Sequence, residues 1–108
     1  MIEDDATLGG YCRKHHRPPA FEGSDGSPYS VEIYVDDEQC EDGRYGAAVL
    51  FVRWSASGES VEGHLESGYL RYGGTPDEAH TALRDLTLHE LKAHLDQLIE
   101  ARKGIPDW

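Results

Sequence analysis

Long apolar runs are missing from this sequence. The longest, "AAVLFV" at 47–52, has six residues, far short of the roughly 20 that a membrane-crossing helix needs. Basic residues are scarce: 10 Lys and Arg stand against 21 Asp and Glu, a formal net charge of −11. A field of that sign repels phosphate backbones, so nucleic-acid binding is disfavoured and a basic partner is favoured. There are two cysteines, Cys12 and Cys40, and the N-terminal Met-Ile-Glu-Asp-Asp has neither the basic nor the apolar part of a signal peptide. The expectation is a cytoplasmic protein with reduced thiols. No G-x-S-x-G, P-loop or G-x-G-x-x-G occurs, so nothing argues for an enzyme.

What is present is alternation. In "YSVEIYVD" (29–36) Tyr29, Val31, Ile33 and Val35 share one side, and Ser30, Glu32, Tyr34 and Asp36 the other, the pattern of a half-buried strand. After an acidic loop, "YGAAVLFVRWS" (45–55) is apolar on both sides, as a central strand is. "SVEGHLESGYLRY" (60–72) reads as a third strand with a break near Gly68. Centring the second turn on Ser57-Gly58 sets Leu50 against Leu65, Val52 against Gly63 and Arg53 against Glu62. A matching first hairpin sets Val31 against Leu50 and Ile33 against Ala48. These registers turn Leu50 and Val52 inward. They leave Val49 and Phe51 outside with Tyr34 and His64, an apolar patch to be covered either by the N-terminal arm or by another chain.

"GGTPDEA" (73–79) is a helix start, with Thr75 as N-cap, Pro76 at the first helical position and Glu78 at N3. Thr87 and Glu90 repeat the pattern, and the apolar stripes on either side of Thr87 do not superpose. The spacing predicts helices over 76–86 and 88–103, ended by Gly104 and Pro106. The expected fold is one α+β domain over 1–108, a two-layer sandwich. It has an irregular N-terminal arm (1–28) with room for one short strand, a three-stranded antiparallel meander (29–72) and a helical layer (75–103).

Four groups of residues carry possible chemistry. Glu62, His64 and Glu66 alternate on one strand and could make half a metal site or a hydrolytic acid/base set. Alternate positions on a strand stand about 7 Å apart, too far for three to chelate one ion unaided. The solvated face of a half-buried antiparallel sheet is the favoured account of them. Cys12, His15 and His16 in "CRKHH", joined by Cys40, would suit tetrahedral zinc. "DDEQCEDG" (36–43) lacks the ligand order of a calcium loop. "HELKAH" (89–94) misses the zinc-protease motif, since His89 and His94 lie about 140° apart around a helix. The basic "YCRKHHR" (11–17) is expected to dock on the protein's own acidic surface.

At "YGGTPDEAHTAL" (72–83), following a strand meander, the chain resembles the HicB-like antitoxin domain. The matching residues are Gly74, Thr75, Pro76, Glu78 and Ala79, and the likeness extends over 29–100. The chain departs from the family pattern in having "GHLESGYLRY" where a Pro/Gly-containing loop is usual, in its long N-terminal arm, and in having no appended DNA-binding domain. The resemblance implies a small acidic protein that binds a basic partner or itself. From the apolar patch, the acidic charge and the lack of catalytic motifs, the expected function is a non-enzymatic protein-binding or regulatory module, acting on a protein partner or as a homodimer through Tyr34, Val49, Phe51 and His64. The alternative is a small zinc protein built on Cys12, His15 or His16, and Cys40.

Overall fold

The computed structural model describes residues 7–16 and 19–103, so the helix stop expected at Gly104 and Pro106 lies outside it, as does Arg17 of the basic cluster. The elements run α1 (Leu8–His15), β1 (Ala20–Glu22), β2 (Pro28–Val35), β3 (Tyr45–Trp54), β4 (Val61–Glu66), β5 (Arg71–Gly73), α2 (Pro76–Arg84) and α3 (Leu88–Arg102). The fold is α+β. The antiparallel sheet has the order β1-β2-β3-β4, with β5 also on β3. β4 and β5 share one edge of β3. The expected break therefore falls at 67–70, where Ser67 N–H reaches Val49 O (3.0 Å) and Leu70 N–H reaches Ala47 O (2.8 Å).

The two helix starts form as the sequence indicates. Thr75 Oγ1 accepts from Glu78 N–H (3.1 Å), with Pro76 in the first turn. Glu78 then reaches one residue further back than a capping box requires, to Gly74 N–H (3.1 Å). At α3 the box is complete, with Glu90 N–H on Thr87 Oγ1 and Thr87 N–H on Glu90 Oε1, each 3.0 Å. Each cap satisfies donors that a helix start otherwise leaves orphaned.

The N-terminal arm is more ordered than expected. It holds the short strand β1 and also α1, a helix hidden by Gly9 and Gly10, each of which costs about 1 kcal/mol relative to Ala in a helix interior. Tertiary contact replaces propensity there. Leu8 is buried, its N–H donates to Leu86 O (2.8 Å), and Thr7 bridges Thr87. The same Thr7 caps the helix by accepting from Gly10 N–H (3.0 Å).

The registers differ from expectation by one residue. Val31 lies opposite Phe51, and Ile33 opposite Val49. Phe51 lies opposite Leu65, and Val52 opposite His64. At the turn Trp54 still meets Val61 as expected, but Arg53 meets Gly63, so Glu62 is the extra residue of a β-bulge. The bulge shifts every later β3–β4 pair by one residue, the β2–β3 pairing is one residue off expectation with no bulge of its own, and together they exchange the two faces of β3. The inward side chains of β3 are thus Ala47, Val49 and Phe51, all fully buried. They join Tyr29, Val31 and Leu65 beneath Leu83, Leu86, Leu91, Leu95 and Ile99 in one core. Complete burial of Phe51 contributes about 1.5–3 kcal/mol. Val49 and Phe51 are therefore corrected from surface to core.

Candidate binding face

The helices cover only the side of the sheet that carries Val31, Val49 and Phe51. On the other side, side chains line up in rows across the strands, because residues in register share a face. One row is Ser30, Val52 and His64; the next is Glu32, Leu50 and Glu66. Tyr34 follows beside Ala48, and at the far end Tyr72 sits opposite Gly46. Tyr34, Leu50, Val52, Val61, His64 and Glu66 line an open groove of about 510 Å³. Four large apolar side chains of this face stay exposed: Tyr34 47%, Val61 57%, Tyr69 40% and Tyr72 39%.

Gly46 makes the tyrosine end possible. The ring of Tyr69 lies directly over it, so that a Cβ at residue 46 would come within 2.5 Å of Tyr69 Cγ. From there the Tyr69 hydroxyl donates to Asp36 Oδ2 across the end of β2. Tyr69 also meets Tyr72 edge-on, with ring centroids 5.9 Å apart and planes at 77°. That is the T-shaped arrangement aromatic pairs prefer. The guanidinium of Arg44 sits over the Tyr72 ring, 4.5 Å from its centroid, a cation–π contact. Arg44 is itself held by Asp42, Nε to Oδ2 at 2.7 Å.

The face is electronegative. The hydrogen bond to Asp36 pushes the Tyr69 phenol up to about 12. The same bond, with the Glu38 N–H, holds the Asp36 carboxyl below its ordinary range. Tyr34 is also raised, first by the charge of Asp36, then by partial burial and by Asp37, Glu66 and Glu38. A phenol surrounded by carboxylates resists ionising, because a second negative charge is repelled.

The expected site residues separate into two groups. Tyr34 and His64 stand on the open face, whereas Val49 and Phe51 lie on the opposite face, in the core. Leu50, Val52, Val61, Tyr69 and Tyr72 take part without having been expected. Glu62 leaves the Glu62–His64–Glu66 trio for Arg53, Oε1 to Nη1 at 2.9 Å, the cross-strand ion pair the sequence suggested. Arg53 Nε also lies 3.5 Å from Asp25 Oδ2.

The zinc set is not assembled. Among the described residues no three His, Cys, Asp or Glu side chains come together to hold a metal ion. Cys12 lies in α1 and packs toward the core. The His15 ring lies 4.2 Å from that of Tyr11, and His16 is the left-handed cap ending α1. Cys40 belongs to the turn before β3, where its N–H bonds Arg44 O (2.7 Å). Both thiols are free.

Among the described residues no helix is long and apolar enough to cross a membrane. Comparison with family models, with curated proteins and with solved structures finds no match for this chain, and so does not bear on the resemblance to the HicB-like domain.

Proposed function

We propose that this protein is a non-enzymatic binding module whose open sheet face receives an apolar segment of a partner protein flanked by basic side chains. The observation that carries this reading is the row Glu32–Leu50–Glu66. It sets an apolar side chain between two carboxylates on a face that, among the described residues, no helix covers. A sheet face of this kind gains by burial against another element, at about 25 cal/mol per Å² of apolar surface removed from water. The carboxylates around it choose the occupant. Two copies meeting face to face would bring Glu32 and Glu66 of one against those of the other, and like charges juxtaposed in an interface cost several kcal/mol. With a net charge of −11 the whole chain adds to that repulsion.

Val52→Glu tests the reading. Residue 52 is half-buried at the centre of the face, between Ser30 and His64, so the substitution charges the groove without emptying the core. The expected result is a partner protein recovered in saturable, salt-sensitive amounts by the native chain and lost with Val52→Glu at unchanged circular dichroism. Equal recovery by both chains contradicts the reading. So does a native dimer that Val52→Glu dissolves, since that gives the face to a second copy.

A further inference from the structure

The tyrosine end of the face already holds a cation, and that cation belongs to the chain itself. Arg44 lies over Tyr72 at 4.5 Å while its other anchor, Asp42, is only two residues away in the turn before β3. Both side chains of this ion pair are half-exposed, Arg44 at 55% and Asp42 at 49%. Exposed ion pairs of this kind contribute little, and an exposed cation–π contact adds only modestly to that. Arg44 is therefore weakly held at a position well suited to a guanidinium. Tyr72 supplies the ring face and Tyr69 the adjoining wall at 77°. Asp36 fixes the Tyr69 ring from its hydroxyl. Gly46 gives that ring the space it occupies.

We infer that Arg44 is an internal placeholder, and that an arginine of the partner segment takes its position over Tyr72 when the groove beside it is filled. This rests on the proposed use of the open face and adds where the partner is anchored. The two sites are continuous. Tyr72 sits opposite Gly46, two residues along β3 from Ala48 beside Tyr34 and four from Leu50 at the groove's centre. In an extended strand that is about 13 Å from Gly46 to Leu50, within the reach of one short segment carrying both an apolar residue and an arginine. Departure of Arg44 leaves it paired with Asp42, so the exchange strands no buried charge.

The test uses the full chain and a synthetic peptide of leucines and tryptophan flanked by arginines, with a second peptide in which citrulline replaces arginine. Arg44→Gln removes the resident cation and keeps a side chain of similar length. The expected outcome is binding of the arginine peptide tightened roughly two- to fivefold by Arg44→Gln, the equivalent of one exposed cation–π contact. The citrulline peptide should show no such gain, and Tyr72→Leu should abolish it. Equal or weaker binding by Arg44→Gln overturns the placeholder while leaving the open face as the binding surface. Failure of the arginine peptide to bind both the native chain and the variant overturns both.

Discussion

The hydroxyl of Tyr69 donates to the carboxylate of Asp36, joining the β4–β5 connection to the end of β2 across the top of Gly46. One contact thus closes the aromatic end of the open face, and it leaves a signature in titration.

The Tyr69 phenol is raised to about 12 by its bond to Asp36. A group with a raised folded pKa contributes stability that is fully present below its unfolded value, about 10 for tyrosine. That contribution is lost as pH rises through about 12. Asp36 is shifted the other way. Its share is present above the unfolded value near 3.9 and is lost as pH falls through the depressed folded value. Buried Tyr29 ionises later still, so phenolate absorbance should lose one of its late-ionising tyrosines in Tyr69→Phe, and that tyrosine should ionise earlier in Asp36→Asn. An unchanged titration curve in both variants contradicts the assignment.

Two glycines should respond differently to alanine. At Gly46 the new Cβ meets the Tyr69 ring, which can swing aside. The expected loss is on the order of 1–3 kcal/mol, as for a modest overpacking, with the Tyr69 phenol returning to ordinary ionisation. At Gly73 the new Cβ meets the backbone nitrogen of Ala79 in the first turn of α2, and that atom cannot rotate away. Urea unfolding should rank Gly73→Ala as the more damaging of the two, with no change in the phenol.

The exchanged faces of β3 predict opposite outcomes for neighbouring aromatics. Phe51→Ala empties a fully buried position and should cost about 3–5 kcal/mol. Tyr34→Ala, on the open face, should leave the unfolding midpoint nearly unchanged. The register expected from sequence puts both side chains on the open face and requires a small loss for each, so the Phe51→Ala unfolding curve decides between the two.

Thr87→Ala removes the N-cap of α3 and leaves Glu90 N–H without its side-chain acceptor. The loss should be about 1 kcal/mol. It should be read in the helical circular-dichroism signal during thermal unfolding. No change in midpoint would mean that the packing of Leu91 and Leu95 alone holds the start of α3.

What was legible in the sequence was whatever has a local cause. Pro76 after Thr75, and Glu90 three residues after Thr87, specify helix starts without help from the rest of the chain. The alternation of 29–36 placed Tyr34 correctly, and the Arg53–Glu62 pair was visible from its opposite charges across a turn. β3 was legible as a central strand but its facing was not, because Ala47, Val49 and Phe51 are as apolar as Ala48, Leu50 and Val52. With no polar residue to mark a face, only the registers could decide, and both differ by one residue, the β3–β4 one through the bulge at Glu62. α1 was masked by Gly9 and Gly10 and exists through its contacts with Leu86 and Thr87. Tyr69 and Tyr72 escaped notice because the break at 67–70 resets the alternation on which a face assignment depends. The signal that could have found them is Gly46, a glycine inside a strand, which often marks close approach by another group.

The central claim is that the open face, and not the helical layer, is where this protein is contacted. Amide chemical-shift mapping of the labelled full chain, titrated with the arginine-flanked peptide, tests it most directly. The account predicts saturable shifts at Tyr34, Leu50, Val52, His64 and Tyr72, with the outer surfaces of α2 and α3 unmoved. Shifts concentrated on α2 and α3, or none at saturating peptide, would contradict it.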